Sequence, residues 1–175
     1  MFNTRYSLTG GVIAAVLLTS GGVSGRPAHA QARFVSKDGK YSFAAPAKWD
    51  RDDADISMGR MRYVKTVETR VIVSLSVKTV TDAGTTLDSL ADAVRQTAKD
   101  NGEKETTLRD KPITGAASGV VIETSNARSE EPNTEMTFIT VHNGVGCQIV
   151  LACKTADAAK YRPYFEKAVS TFRWK

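Results

Sequence analysis

Few residues in this sequence can make or break bonds, and their spacing decides what each could do. Nucleophilic catalysis by a histidine needs the base beside its nucleophile. The 175-residue chain has two histidines, His29 and His142, and two cysteines, Cys147 and Cys153. His29 falls in an N-terminal leader, which leaves His142. It sits beside Asn143-Gly144 with no Gly-x-Ser-x-Gly elbow in the chain. A lone histidine at a strand end is expected to face solvent or hydrogen-bond locally. One histidine and two thiols along a single strand do not make a tetrahedral zinc site. Cys147 and Cys153 lie six residues apart in GCQIVLACK, roughly 20 Å along an extended strand and beyond disulfide reach. They share parity with Ile149 and Leu151, so both thiols are expected to be small core hydrophobes.

Carboxylates supply the other candidates. Asp50, Asp52, Asp53 and Asp55 cluster in DRDDAD and are the candidate ligands for calcium. The cluster departs from the EF-hand pattern, with no glycine in sixth place and no closing glutamate. Its alternative is a solvated acidic loop neutralised by Arg51, Arg60 and Arg62. Glu68, Glu123 and Glu135 lie on extended runs. Two of them facing one another across a pocket could serve a carboxylate-based hydrolase; otherwise they line the wet face of a sheet. Gly144 and Gly146 belong to a hairpin, not to a phosphate-cradling loop.

The elements that must position these residues are set by pattern. Lys37-Asp38-Gly39-Lys40 joins Arg33–Ser36 to Tyr41–Ala44 as a hairpin, and Pro46 ends the second strand. Asp50–Asp55 is expected to be a polar loop and Gly59–Glu68 an extended run. In Arg70–Val80, Val71, Val73, Leu75 and Val77 point one way and Ser74, Ser76 and Lys78 the other, the alternation of an antiparallel sheet. The period then changes. Leu87, Leu90, Ala91, Val94 and Ala98 form one stripe of a helix over Thr86–Asp100, opened by a Thr85/Asp88 capping box and closed by Gly102. Glu105–Arg109, Gly119–Thr124, Glu135–His142 and Gly146–Lys154 are strands, the last two joined at Asn143-Gly144. Tyr161, Tyr164, Phe165, Ala168, Val169 and Phe172 form a second helical stripe that should seal one face of the sheet. Pro163 fits only a first turn, so this helix starts near Arg162 or is kinked there. The sum is an α+β sandwich.

Residues 1–30 read as a cleavable signal peptide. Arg5 supplies the positive charge, Val12–Leu18 the apolar stretch, and Ala28-His29-Ala30 the cleavage site before Gln31. The apolar run dissolves into Gly21, Gly22, Ser24 and Gly25, short of the roughly 20 residues that span a bilayer. No cysteine is available for a lipid anchor there. The expectation is therefore a periplasmic or secreted protein with neither transmembrane nor lipid anchor, its single globular domain covering residues 31–175. Removing Arg5 and Arg26 lowers the net charge from +5 to +3. That is mildly basic, with scattered lysines and arginines and no nucleic-acid signature.

Phe34, Asp38-Gly39, Tyr41-Ser42-Phe43, Pro46 and Trp49 form an opening that resembles PsbP-like domains. Tyr161, Phe165, Ser170 and Phe172 are similar to the last helix and tail of that group, and the resemblance covers nearly all of Phe34–Trp174. It implies an α/β/α sandwich around a central antiparallel sheet with two main helices. It also implies a binding or assembly protein rather than an enzyme. PsbP is an extrinsic lumenal subunit of photosystem II, and DcrB-like envelope lipoproteins share its fold; this chain lacks their lipobox. The expected function is that of an exported, non-enzymatic binding protein. Its partner would be another envelope or membrane-associated protein. A small-ligand or calcium-binding module and a carboxylate-based hydrolase are the alternatives.

Overall fold

A computed structural model describes residues 32–52, 60–67, 70–111, 119–126 and 132–175, with the backbone alone for 106–111. The chain divides at Ala30/Gln31. The unit from Gln31 onward holds every described element. Its strands are β1 (Arg33–Val35), β2 (Tyr41–Ala44), β3 (Asp50–Asp52), β4 (Arg60–Val67), β5 (Arg70–Val80), β6 (Lys104–Lys111), β7 (Gly119–Asn126), β8 (Asn133–His142), β9 (Val145–Lys154) and β10 (Arg173–Trp174). The helices are α1 (Leu87–Asp100) and α2 (Ala158–Ser170). A seven-stranded antiparallel sheet runs β3-β4-β5-β9-β8-β7-β6, and a three-stranded sheet runs β1-β2-β10.

Both hairpins form where the turn residues place them. β1 and β2 pair with Phe34 opposite Phe43. Asn143 and Gly144 both have positive φ, 50° and 73°, the combination a type I′ turn requires. It sets His142 opposite Val145. That register puts Cys147, Ile149, Leu151 and Cys153 on one face of β9, where they join Val73, Leu75, Val77, Met136 and Phe138 in the main core. Alternation alone would send Val71 inward with these valines, but it is exposed. The β4–β5 register slips between Lys65 and Thr66, and beyond such a slip the side-chain alternation no longer tracks the core.

The stripe on α2 covers this core face. Tyr161, Phe165, Ala168 and Val169 are buried, and the small sheet adds Tyr41, Phe43 and Trp174 to the same cluster. α2 begins at Ala158, the earlier of the two starts the sequence leaves open, so Pro163 stands inside it. Proline removes one backbone bond and crowds the preceding turn. Burial of Tyr161, 1% exposed, ties that turn to the core and offsets the loss. β10 has no counterpart in the sequence pattern. Its two residues pair with Ser42 and Tyr41, and the Trp174 indole donates to Thr140 Oγ1 at 3.2 Å.

α1 packs on the opposite face. Leu90 and Ala91 meet Val120, Ile122 and Ile139. Its cap is Thr86 with Ser89, each side chain bonded to the other's backbone N–H, one residue beyond the expected Thr85/Asp88 pair. Its end takes the expected form: Gly102 at φ 71° lets Gly102 N–H reach Lys99 O and Glu103 N–H reach Ala98 O. Gly146 allows the close seat of α1, since a Cβ there would stand 2.5 Å from Leu90 Cδ1. One helix therefore covers each face of the large sheet.

Candidate functional site

α1 is a single helix over a wide sheet, and it covers the strands around β7 and β8. The sheet floor beside it, on β5 and β9, stays open. There the face opposite the main core carries polar side chains, because strand alternation sends Ser76 and Lys78 away from Leu75 and Val77. The result is a groove of about 480 Å³, a size typical of small-molecule sites. Its floor is Ser76, Lys78, Thr137, Gln148 and Val150, its wall is the Ala93–Asn101 side of α1, and Glu103, Thr124 and Glu135 close one end.

Charge is segregated along the groove. Arg60 and Lys78 face each other across β4 and β5, and Lys78 sits opposite Gln148. Neither cation has an ion pair among the described residues. At the other end, Glu103 accepts from Thr124 Oγ1 at 2.8 Å. Glu135 stands opposite Thr124. Its side chain is exposed, but the packing around its carboxyl in the groove costs it solvation and raises its pKa above the usual range, and the charge of Glu103 adds to the effect. Between the ends, Thr137 is 4% exposed, and its side chain makes no hydrogen bond among the described residues. Arg60, at the outer start of β4, also borders a second hollow of about 700 Å³ lined by Phe34, Tyr41, Met61 and Val77.

The residues singled out from sequence go to different places. Glu123 and Glu135 do not meet. Glu123 stands opposite Met136, one residue out of phase with Glu135, so it points to the α2 side. There Arg162 donates to it at 2.8 Å. The neighbour of Glu135 is Glu103, which has no period to mark it because it lies in the turn after α1. Glu68 lies outside the described residues. Asp50–Asp52 form edge strand β3 rather than loop, since their backbone pairs with Arg62–Val64; edge strands tolerate charge. Asp50 and Asp52 share a face, and Asp52 Oδ2 accepts from Arg62 Nε at 3.1 Å. Asp53 and Asp55 lie outside the described residues. No group of three or more metal-ligating side chains occurs among the described residues.

His142 bonds to the Asn143 side chain at 3.1 Å and packs on Trp174, ring centroids 5.6 Å apart. It is a local hydrogen-bonder, as expected. Both cysteines are free and buried. Burial pushes the Cys153 thiol up to about 11, with Asp157 adding to it, and raises Cys147 further. Among the described residues, no helix is long and apolar enough to cross a membrane.

No family model matches the sequence, and no curated protein matches it. Solved structures do match. A cyanobacterial PsbP (CyanoP) from Synechocystis sp. PCC 6803 aligns with TM-score 0.60 at 14% identity, over 82% of this chain and 92% of its own. The Ran-binding protein Mog1p of Saccharomyces cerevisiae aligns with TM-score 0.53 at 11% identity, over 81% and 93%. A Bacteroides thetaiotaomicron protein aligns with TM-score 0.55 at 15% identity over 82% of this chain, which spans about half, 48%, of that protein. Identities this low speak to architecture alone. With one helix on each face of a large antiparallel sheet and these structural matches, the chain has the PsbP-like α+β sandwich fold.

Proposed function

We propose that the protein is an exported, non-enzymatic binding or assembly protein of the cell envelope. Residues 1–30 are its cleavable signal peptide, and 31–175 its working domain. One observation carries this reading. The groove beside α1 gathers Ser76, Lys78, Glu135, Thr137 and Gln148, none held by a side-chain hydrogen bond or ion pair among the described residues. Side chains left open in this way suit recognition. Neither thiol and no histidine lines the groove, so it offers no nucleophile with an adjacent imidazole. The Ran-binding of Mog1p supports a protein partner for this architecture. The test is capture from an envelope fraction in mild detergent with the tagged protein. A stoichiometric partner is expected, and its absence would overturn the reading.

Two other readings have their own observations. The raised Glu135 carboxyl beside Glu103 favours a carboxylate-based hydrolase. Turnover of a glycoside panel that disappears in Glu135→Gln would establish it, and no turnover removes it. Asp50 and Asp52 on one face of β3 favour calcium at Asp50, Asp52, Asp53 and Asp55. Arg62 must then release Asp52. Calorimetry with calcium decides: no heat removes that site.

A further inference from the structure

The groove has opposite charges at its two ends and hydrogen-bonding groups between them, and that combination specifies a ligand. Arg60 and Lys78 are like charges placed directly across two paired strands, an arrangement that costs stability unless an anion relieves it. Glu103 and Glu135 are like charges of the opposite sign at the far end. Glu103 is fixed there by Thr124, and Glu135 has no cation beside it among the described residues. Thr137 supplies a separate observation. It is a polar residue 4% exposed that lines the groove, and no described protein group satisfies its hydroxyl.

We propose that this groove binds a short peptide with free termini. Its carboxylate lies on Lys78 and Arg60, its ammonium lies between Glu103 and Glu135, and its amides lie over Ser76, Thr137 and Gln148. The inference rests on the binding-protein reading and names a ligand class for it. Size fits. Lys78 shares a row with Gln148 and Ile139, and Glu135 stands four residues along β8 from Ile139. The two ends are therefore separated by roughly 13 Å along the strands and, with β9 between β5 and β8, by about 10 Å across them, or roughly 16 Å between backbones. A tripeptide reaches about 10 Å, and the charged side chains close the remainder. A free amino acid is too short to touch both ends. A dianion would meet Glu103 and Glu135, and a dication would meet Lys78 and Arg60. Only a ligand of mixed charge relieves both ends. Neutralisation by an ammonium also explains how a carboxyl raised by its surroundings can be ionised in the complex.

The experiment is an amide-resolved NMR titration of the protein with trialanine, N-acetyl-trialanine and trialanine amide. Saturable shifts at Ser76, Thr137 and Gln148 are expected with trialanine. Blocking either terminus should weaken binding about tenfold, the loss of one charge-assisted contact. Lys78→Gln should shrink the difference between acid and amide, leaving only what Arg60 supplies, and Glu135→Gln should shrink the difference between amine and acetylated amine, leaving only what Glu103 supplies. Glu135→Gln removes a penalised charge, so it is expected to fold. Absence of saturable shifts at these residues overturns the inference. So does equal binding of the blocked peptides, or shifts confined to the Phe34–Met61 hollow. If an envelope partner is captured while trialanine fails here, the binding-protein reading stands and the peptide groove alone is lost.

Discussion

Cys147 and Cys153 are quiet because the same strand face buries both of them, and a buried thiol resists ionisation. Their parity with Ile149 and Leu151 makes this legible in the sequence. An alkylating reagent should label neither thiol in the native protein while labelling both in denaturant. Intact mass should show no two-dalton loss. Rapid native labelling of Cys153 would contradict its raised pKa. Glu135 is legible only as a strand carboxylate, because its neighbour Glu103 comes from a turn. Lost solvation in the groove and the Glu103 charge raise its pKa, so its charged form is penalised in the folded state, though solvent screens that penalty because the residue is exposed. That penalty is absent at low pH, where the carboxyl is protonated folded and unfolded. It grows as pH rises above the ordinary carboxylate value. Glu135→Gln should therefore raise the thermal midpoint slightly near pH 7 and by less near pH 4. An equal rise at both pH values would show that charge is not the cause. The place of His142 beside Asn143 marks it as a local hydrogen-bonder, whereas its packing on Trp174 needs β10.

Element types come from period, and the differences between pattern and structure lie at their ends. Leu87, Leu90, Ala91, Val94 and Ala98 mark α1, but two adjacent threonines leave its cap open. The structure chooses Thr86, whose side chain accepts from Ser89 N–H at 3.1 Å. Thr86→Ala should cost about 1 kcal/mol in chemical denaturation, and Thr85→Ala clearly less. The reverse order would restore the Thr85/Asp88 cap. Pro163 leaves the start of α2 open for a related reason. Local sterics argue for a helix starting at proline, yet the turn before it carries Tyr161, and burial decides. The Gly119 side of β7 shows packing that no period reveals. A Cβ there would stand 2.3 Å from Phe138 Cε2, and Phe138 is fully buried. Gly119→Ala should destabilise the domain by roughly 1–3 kcal/mol through overpacking. A neutral result would mean that the Phe138 ring can move. β3 and β10 escape the sequence pattern because two or three residues carry no measurable period; pairing with β4 and β2 defines them.

At the scale of the molecule, the proposed signal peptide over residues 1–30 would govern where the domain works. Edman sequencing of exported protein should begin at Gln31, and material beginning at Met1 would remove the signal peptide. Alternation in Arg70–Val80 announces a sheet with one buried face, and two helical stripes announce two covers. The sequence by itself determined the types of the longer elements, both hairpins, the inward face of β9 and the α+β class. Each rests on local period or on a turn residue whose φ is chosen by sterics. Only the tertiary structure decided that β1-β2-β10 stands apart as a second sheet. It also decided that Glu123 turns to Arg162 while Glu135 joins Glu103. The candidate groove belongs to this second group. It exists because one helix is too narrow to cover the sheet, so Lys78, Thr137 and Gln148 share a cleft. They come from three strands with up to 70 residues between them, and no local pattern records which distant strands become neighbours.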